Sequence, residues 1–293
     1  MTPARSVAII GPMKTLSADT HPDVERAQMA RLRQMSPGQR GDIALSMIAF
    51  AIEGARFAMK RTHPGASEGD IKAIFAAVYY GKKVAEGLRV APDDQQQQRN
   101  GEGMNLFLSA MSPVIDALEH LGVPYYIGGS VASIIHGVPR TTIDVDLVAD
   151  LAAEHVRPLV QALQATCYLE ETMIQEALFH RSSFHIIHQE SGIKVDVFLP
   201  GLRAFDREMA KRARPLIIAE TNPRPFFLAS PEDTILSKLE WYAMGNQVSE
   251  RQWNDVLGIL KVQGEALDQT YLRRWATELA LSSLLERAIE EAG

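Results

Sequence analysis

The segment Ile143–Leu147, IDVDL, alternates apolar and acidic side chains without a break. In an extended strand, residues two apart share a face. Asp144 and Asp146 therefore project together, while Val145 and Leu147 point to the other side. A chain containing this segment has to build a sheet with one face on a core and two adjacent carboxylates on the other. Two carboxylates held this close repel, and the arrangement is tolerable where a divalent cation or a cationic ligand neutralises them. Mg²⁺ suits such a pair, with Mn²⁺ as the alternative, because it takes oxygen ligands and is shared between carboxylates and substrate phosphates.

Two further features belong with this pair. IKVDVF sets Asp196 between Val195 and Val197. If that strand lies beside IDVDL, Asp196 joins the other two, and three carboxylates suffice for two metal ions. Gly128, Gly129 and Ser130 lie between a predicted strand, PYYI, and a predicted short helix, SVASIIHG. Glycine lets backbone approach a ligand, and free amides at a helix start attract anions. Arg140 and Thr141 or Thr142 stand just before the acidic strand, placed to brace its carboxylates or a phosphate.

The 293 residues, 46% hydrophobic and 23% charged, fit a soluble globular protein of about two domains. No run reaches the ~18 apolar residues of a membrane span, and the N-terminus, MTPARSVAIIGPMKT, lacks the pattern of a signal peptide. The single cysteine, Cys167, excludes an internal disulfide and reads as a small buried side chain. A cytoplasmic protein is expected, with no membrane partner. A net charge of -6 argues against bulk nucleic-acid binding but leaves a local basic groove open.

Residues 1–20 read as weakly structured. A small helical unit is expected over 21–90. Its second helix opens at SPGQ and carries Ile43, Met47, Ala51, Ala55 and Met59 on one face; its third is capped by Ser67 and Asp70, with Ile71, Ile74, Phe75 and Val78 following. The polar stretch over 91–103 reads as a linker. Over 104–230 helices alternate with strands: a helix from Met104 to Leu121, then YYI, DVDLVA, a helix in EHVRPLVQALQA, the hairpin SSFHIIHQ/IKVDVFLP, and PFFLA. A helical region covers 231–293, opening at Ser230 and Pro231. The fold class is α+β, or mixed α/β, a small mixed sheet with helices before and after it.

GGS, DVD and VDVF, in that order and with thirteen residues between Ser130 and Asp144, resemble the nucleotidyltransferase superfamily, the fold of DNA polymerase beta. SPEDTILSKLEWY with SERQWNDVLGIL is similar to the AbiEii-type nucleotidyltransferase toxins and their bacterial relatives. The resemblance covers 104–293. It implies that Asp144, Asp146 and Asp196 hold Mg²⁺ and carry catalysis. Gly128, Gly129, Ser130, Arg140, Thr142 and Lys238 would bind the nucleoside triphosphate, with Arg251 and Asp255 in support. A nucleoside monophosphate would pass to an acceptor hydroxyl on RNA (a tRNA end), a protein or a small molecule. The setting implied is toxin–antitoxin or phage defence, with a cognate antitoxin or toxin as partner. The alternative is a catalytically weak or inactive binding module of the same fold that works as an antitoxin or adaptor through its N-terminal helices.

Simpler readings stand beside these. Arg251 and Asp255, four apart, also suit a surface ion pair. The basic residues from Arg203 to Arg224 alternate with acids as a solvated face does, and His180, His185 and His188 are irregularly spaced for zinc.

Overall fold

A computed structural model describes residues 15–17, 19–82, 85 and 106–293. The expected linker over 91–103, Met104 and most of the N-terminal twenty residues lie outside these. The described chain divides into two compact units. One holds the described residues of Met1–Ser36, the short piece His136–Val138 and the segment Pro231–Gly293; the other holds those of Pro37–Ile135 and Pro139–Ser230. The helical unit expected over 21–90 is thus divided: its first helix belongs to one unit, the next two to the other.

The larger unit is built on a seven-stranded mixed sheet, so the protein is α+β. Its strands are β1 (Tyr125–Ile127), β2 (Asp144–Ala149), β3 (Cys167–Tyr168), β4 (Ser183–His188), β5 (Lys194–Phe198), β6 (Arg214–Ile217) and β7 (Pro225–Leu228). Their spatial order is β3-β4-β5-β2-β1-β7-β6. β2 runs parallel to β5 and β1 parallel to β7, and all other pairs are antiparallel. β3 and β6 are additions to the five strands expected.

The described α-helices of this unit are α1 (Pro37–Thr62), α2 (Glu68–Tyr80) and α3 (Leu106–His120), with four more in the β-strand connections, α4 (Gly129–His136), α5 (Val156–Leu163), α6 (Glu171–His180) and α7 (Ala204–Arg212); the last residue of α4 is the first of the piece His136–Val138. α2 opens with the expected capping box: the Asp70 amide donates to Ser67 Oγ (3.1 Å) and the Ser67 amide to Asp70 Oδ2 (2.9 Å). α1 starts at Pro37 as expected; of the expected face Ala55 and Met59 pack against the core, but Ile43, Met47 and Ala51 do not. Ile43 and Met47 are exposed; Gly41, Ala44, Leu45, Ile48 and Ile52 are buried. Positions spaced strictly by four drift about 40° per step around a helix of 3.6 residues per turn, so the Ile43–Met59 series cannot stay on one face. Leu45, Ile48, Ile52 and, from α2, Phe75 share one core with α3, β1, β2, β5 and β7.

α1 is fastened to its own unit by polar contacts as well. Arg40 Nε donates to the Ile135 carbonyl (2.7 Å), and Asp42 accepts from the Glu220 amide (3.0 Å) and the Thr221 hydroxyl (2.8 Å).

The smaller unit comprises α8 (Pro22–Gln34) and the four helices α9 (Pro231–Met244), α10 (Glu250–Gln263), α11 (Gln269–Glu278) and α12 (Ser282–Ala292). Few apolar residues mark α8 in sequence because a buried ion pair anchors it: Glu25 meets Lys261 of α10. Asp233, fully buried, accepts from the Tyr271 hydroxyl (2.6 Å). No described helix is long and apolar enough to cross a membrane.

Two glycines of α1 test which face is buried. A Cβ at Gly41 would lie 1.7 Å from the Ile218 carbonyl oxygen, whereas one at Gly54 would meet nothing within 4 Å. Gly41→Ala is expected to destabilise by at least about 2 kcal/mol through forced displacement of packed backbone. Gly54→Ala is expected to stabilise by about 0.5–1 kcal/mol through helix propensity. Urea unfolding midpoints of the two variants should move in opposite directions; the reverse order would place the Ile43 face inside.

Candidate active site

β2 buries Val145, Leu147 and Ala149 and leaves Asp144 and Asp146 half-buried on the opposite face. β5 repeats the pattern, with Val195 and Val197 buried and Lys194, Asp196 and Phe198 facing the other way. The parallel register pairs Asp144 with Lys194 and Asp146 with Asp196. Neighbouring residues in matched register point to one side of a sheet, so the three aspartates expected to meet do share a face.

Each carboxylate has a donor of a different kind. Thr142 donates its hydroxyl to Asp144 Oδ1 (2.6 Å). The Ser130 amide donates to Asp146 Oδ2 (3.2 Å), and the Gly128 amide to the Asp146 carbonyl (2.9 Å). Lys194 Nζ lies 2.6 Å from Asp196 Oδ2. Gly129 is required between these groups. Its φ is +49°, and a Cβ there would stand 1.8 Å from Asp146 Oδ2. The glycine turn and the first turn of α4 thus lie directly against the acidic strand. Arg140 Nη1 donates to the Thr141 carbonyl (2.9 Å), so it braces the loop before β2.

Three residues at this face were not singled out in sequence for it. Lys194 precedes Asp196 by two, which alternation alone would have placed on the same side. Tyr80, the last residue of α2, donates its hydroxyl to the Ile143 carbonyl (2.8 Å) and accepts from the Lys194 amide (3.4 Å). Burial, aided by the charges of Asp144 and Asp196, pushes its phenol up from the usual range. His185 stands opposite Asp196 in the antiparallel β4–β5 pair, which extends the row Asp146–Asp196–His185 across three strands.

The histidines weighed for zinc do not gather. His188 is buried, bonded through Nδ1 to the Ser191 hydroxyl (2.9 Å), and its pKa is lowered by burial. Among the described residues no three His, Cys, Asp or Glu side chains converge as a metal-binding cluster. Asp144 and Asp146 nonetheless fit Mg²⁺ in chemistry, as two half-buried oxygen donors on one face of β2. Cys167 is buried and free, and burial raises its thiol pKa, as its reading as a packing residue requires.

Lys238, Arg251 and Asp255 belong to the smaller unit. There Lys238 Nζ pairs with Asp255 Oδ2 at 2.9 Å, both side chains buried.

No family profile and no curated protein matches the chain. Among solved structures it is similar to the antibiotic-resistance factor ANT(2'')-Ia, with 15% identity over 62% of this chain and 91% of that one and a TM-score of 0.37. It is similar to the lincosamide antibiotic adenylyltransferase LnuA, solved with lincomycin bound, with 16% identity over 55% and 98% and a TM-score of 0.35. A nucleotidyltransferase-like antigenic protein from Paracoccidioides brasiliensis gives 18% identity, 61% and 91% coverage, and 0.34.

The Lys238–Asp255 pair makes its own prediction. Removing one partner of a buried pair strands the other charge and costs about 3–5 kcal/mol, whereas replacing both by apolar groups costs far less. Lys238→Met should therefore lower stability more than Lys238→Met with Asp255→Leu, measured by chemical denaturation. A double variant less stable than the single one would mean the pair is not the dominant contact of either residue.

Proposed function

We propose that the protein is a nucleotidyltransferase that moves a nucleoside monophosphate from a nucleoside triphosphate to an acceptor hydroxyl. The observation that carries this reading is the meeting of the Gly129–Ser130 turn with Asp146, in register with Asp196. An anion-attracting helix start and a cation-attracting carboxylate row lie within one hydrogen bond of each other. A triphosphate with its metal needs both at once.

Asp144 and Asp146 would hold Mg²⁺, or Mn²⁺ in its place, which when bound neutralises phosphate charge. Gly128 and Gly129 shape the turn that lets the phosphates approach, the Ser130 amide turns to them as it leaves Asp146, and Thr142 and Arg140 hold Asp144 and its loop in place. Asp196 orients the acceptor hydroxyl and takes its proton as the oxygen attacks the α-phosphorus. The bond from that phosphorus to the bridging oxygen of the β-phosphate breaks, and pyrophosphate leaves. Positioning and charge neutralisation supply most of the catalysis in such chemistry. Lys238, with Arg251 and Asp255, is assigned to the triphosphate on family resemblance; its buried pairing with Asp255 means that contact would require exchange of partners.

The acceptor is RNA, a protein or a small molecule, and the AbiEii resemblance favours a toxin–antitoxin or phage-defence setting with a cognate partner. The test is label transfer: the protein, Mg²⁺, each α-labelled triphosphate in turn, and an extract containing RNA, protein and small molecules. Label should appear on one acceptor class with the native chain and fall to background with Asp144→Asn plus Asp146→Asn. Triphosphate binding without transfer to any acceptor would replace this reading with the inactive binding module.

A further inference from the structure

Asp196 does not stand free on its strand. The Lys194 ammonium is 2.6 Å from its Oδ2, and the two side chains are only 23% and 19% exposed. Lys194 is held in this position from below. Its ammonium lies over the ring of Tyr80, 5.6 Å from the centroid. That ring is fixed in turn, because the Tyr80 hydroxyl bonds the Ile143 carbonyl at the start of β2 and receives the Lys194 amide at the start of β5. The lysine thus has an aromatic floor, a carboxylate partner and backbone in a paired strand. A solvated surface lysine has none of these.

From this arrangement, and resting on the nucleotidyltransferase reading, we infer that Lys194 is a built-in counter-ion that takes the electrostatic place of a second metal ion beside Asp196. The site would then work with one divalent cation, held by Asp144 and Asp146. The two-metal arrangement that three carboxylates allow in principle is blocked by a resident cation. An ammonium at hydrogen-bond distance occupies an oxygen lone pair of Asp196 and repels a divalent cation approaching the same carboxylate. Tyr80 acts as a positioning residue for Lys194, which gives the end of α2 a role at the site.

The experiment counts metal ions rather than turnover. Mn²⁺ is titrated into the protein with the α,β-methylene analogue of whichever triphosphate transfers label, and bound metal is read by electron paramagnetic resonance. The native chain is expected to hold one tightly bound Mn²⁺. Lys194→Met, which keeps the side chain's length and removes its charge, is expected to hold two, with the line-broadening of a spin-coupled pair. Lys194→Arg should return the count to one. Two Mn²⁺ in the native chain, or one in a Lys194→Met protein with native circular dichroism, would overturn the inference and leave nucleotidyl transfer standing. No Mn²⁺ with any triphosphate analogue would remove the nucleotidyltransferase reading itself. If Lys194→Met does not fold, Lys194→Gln serves in its place, and the native count alone still refutes or supports the single-ion site.

Discussion

The parallel pairing of β2 with β5 is the constraint on which the candidate site depends. Val145, Leu147, Val195 and Val197 are almost wholly buried on one face of this pair, and each contributes about 1.5–3 kcal/mol by leaving water. A slip of one residue would turn Asp196 into that core and a valine onto the open face. The apolar side therefore sets the register, and the register brings Asp146 level with Asp196. β1, antiparallel to β2 on its other side, sends the chain through Gly128 and Gly129 just where Asp146 stands. The site is a consequence of core packing on the opposite face.

The N-terminal helices enter at the same level of organisation. α1 and α2 do not form a core of their own among the described residues; Leu45, Ile48, Ile52 and Phe75 bury themselves with the strands and α3. Gly41 lets α1 approach the Ile218 carbonyl more closely than any side chain allows. Tyr80, at the end of α2, then reaches the backbone where β2 and β5 begin. A segment that reads in sequence as separate from the acidic strands is part of their support.

What could be read in advance follows from the range of each interaction. Asp144, Asp146 and Asp196 are legible because strand alternation is local and strict, and the capping box of α2 is legible because Ser67 and Asp70 are three residues apart. The rotation of α1 was not legible, since an amphipathic face is fixed by what packs on it. Phe50 and Phe57 are 79% and 64% exposed while Gly41 and Ala44 are buried. β6 shows no alternation because it is an edge strand containing Pro215 with little buried surface. The contact of Tyr80 with Lys194 joins positions 114 residues apart, and no pattern in either segment announces it.

Three carboxylates on one half-buried face would ordinarily disfavour folding in the absence of a ligand, because burial without partners penalises charge. Here each has a separate remedy: a hydroxyl from Thr142, an amide from Ser130, an ammonium from Lys194. These remedies differ in how easily a ligand displaces them. The Thr142 hydroxyl and the Ser130 amide are neutral donors that can turn to phosphate oxygens instead. The ammonium of Lys194 cannot be turned aside without also leaving the Tyr80 ring. The Asp144–Asp146 side of the row is therefore poised to exchange its partners, and the Asp196 side is fixed. On the proposed nucleotidyl transfer, a fixed carboxylate would suit the group that holds an acceptor hydroxyl in line, and an exchangeable pair the one that takes up and releases a charged nucleotide.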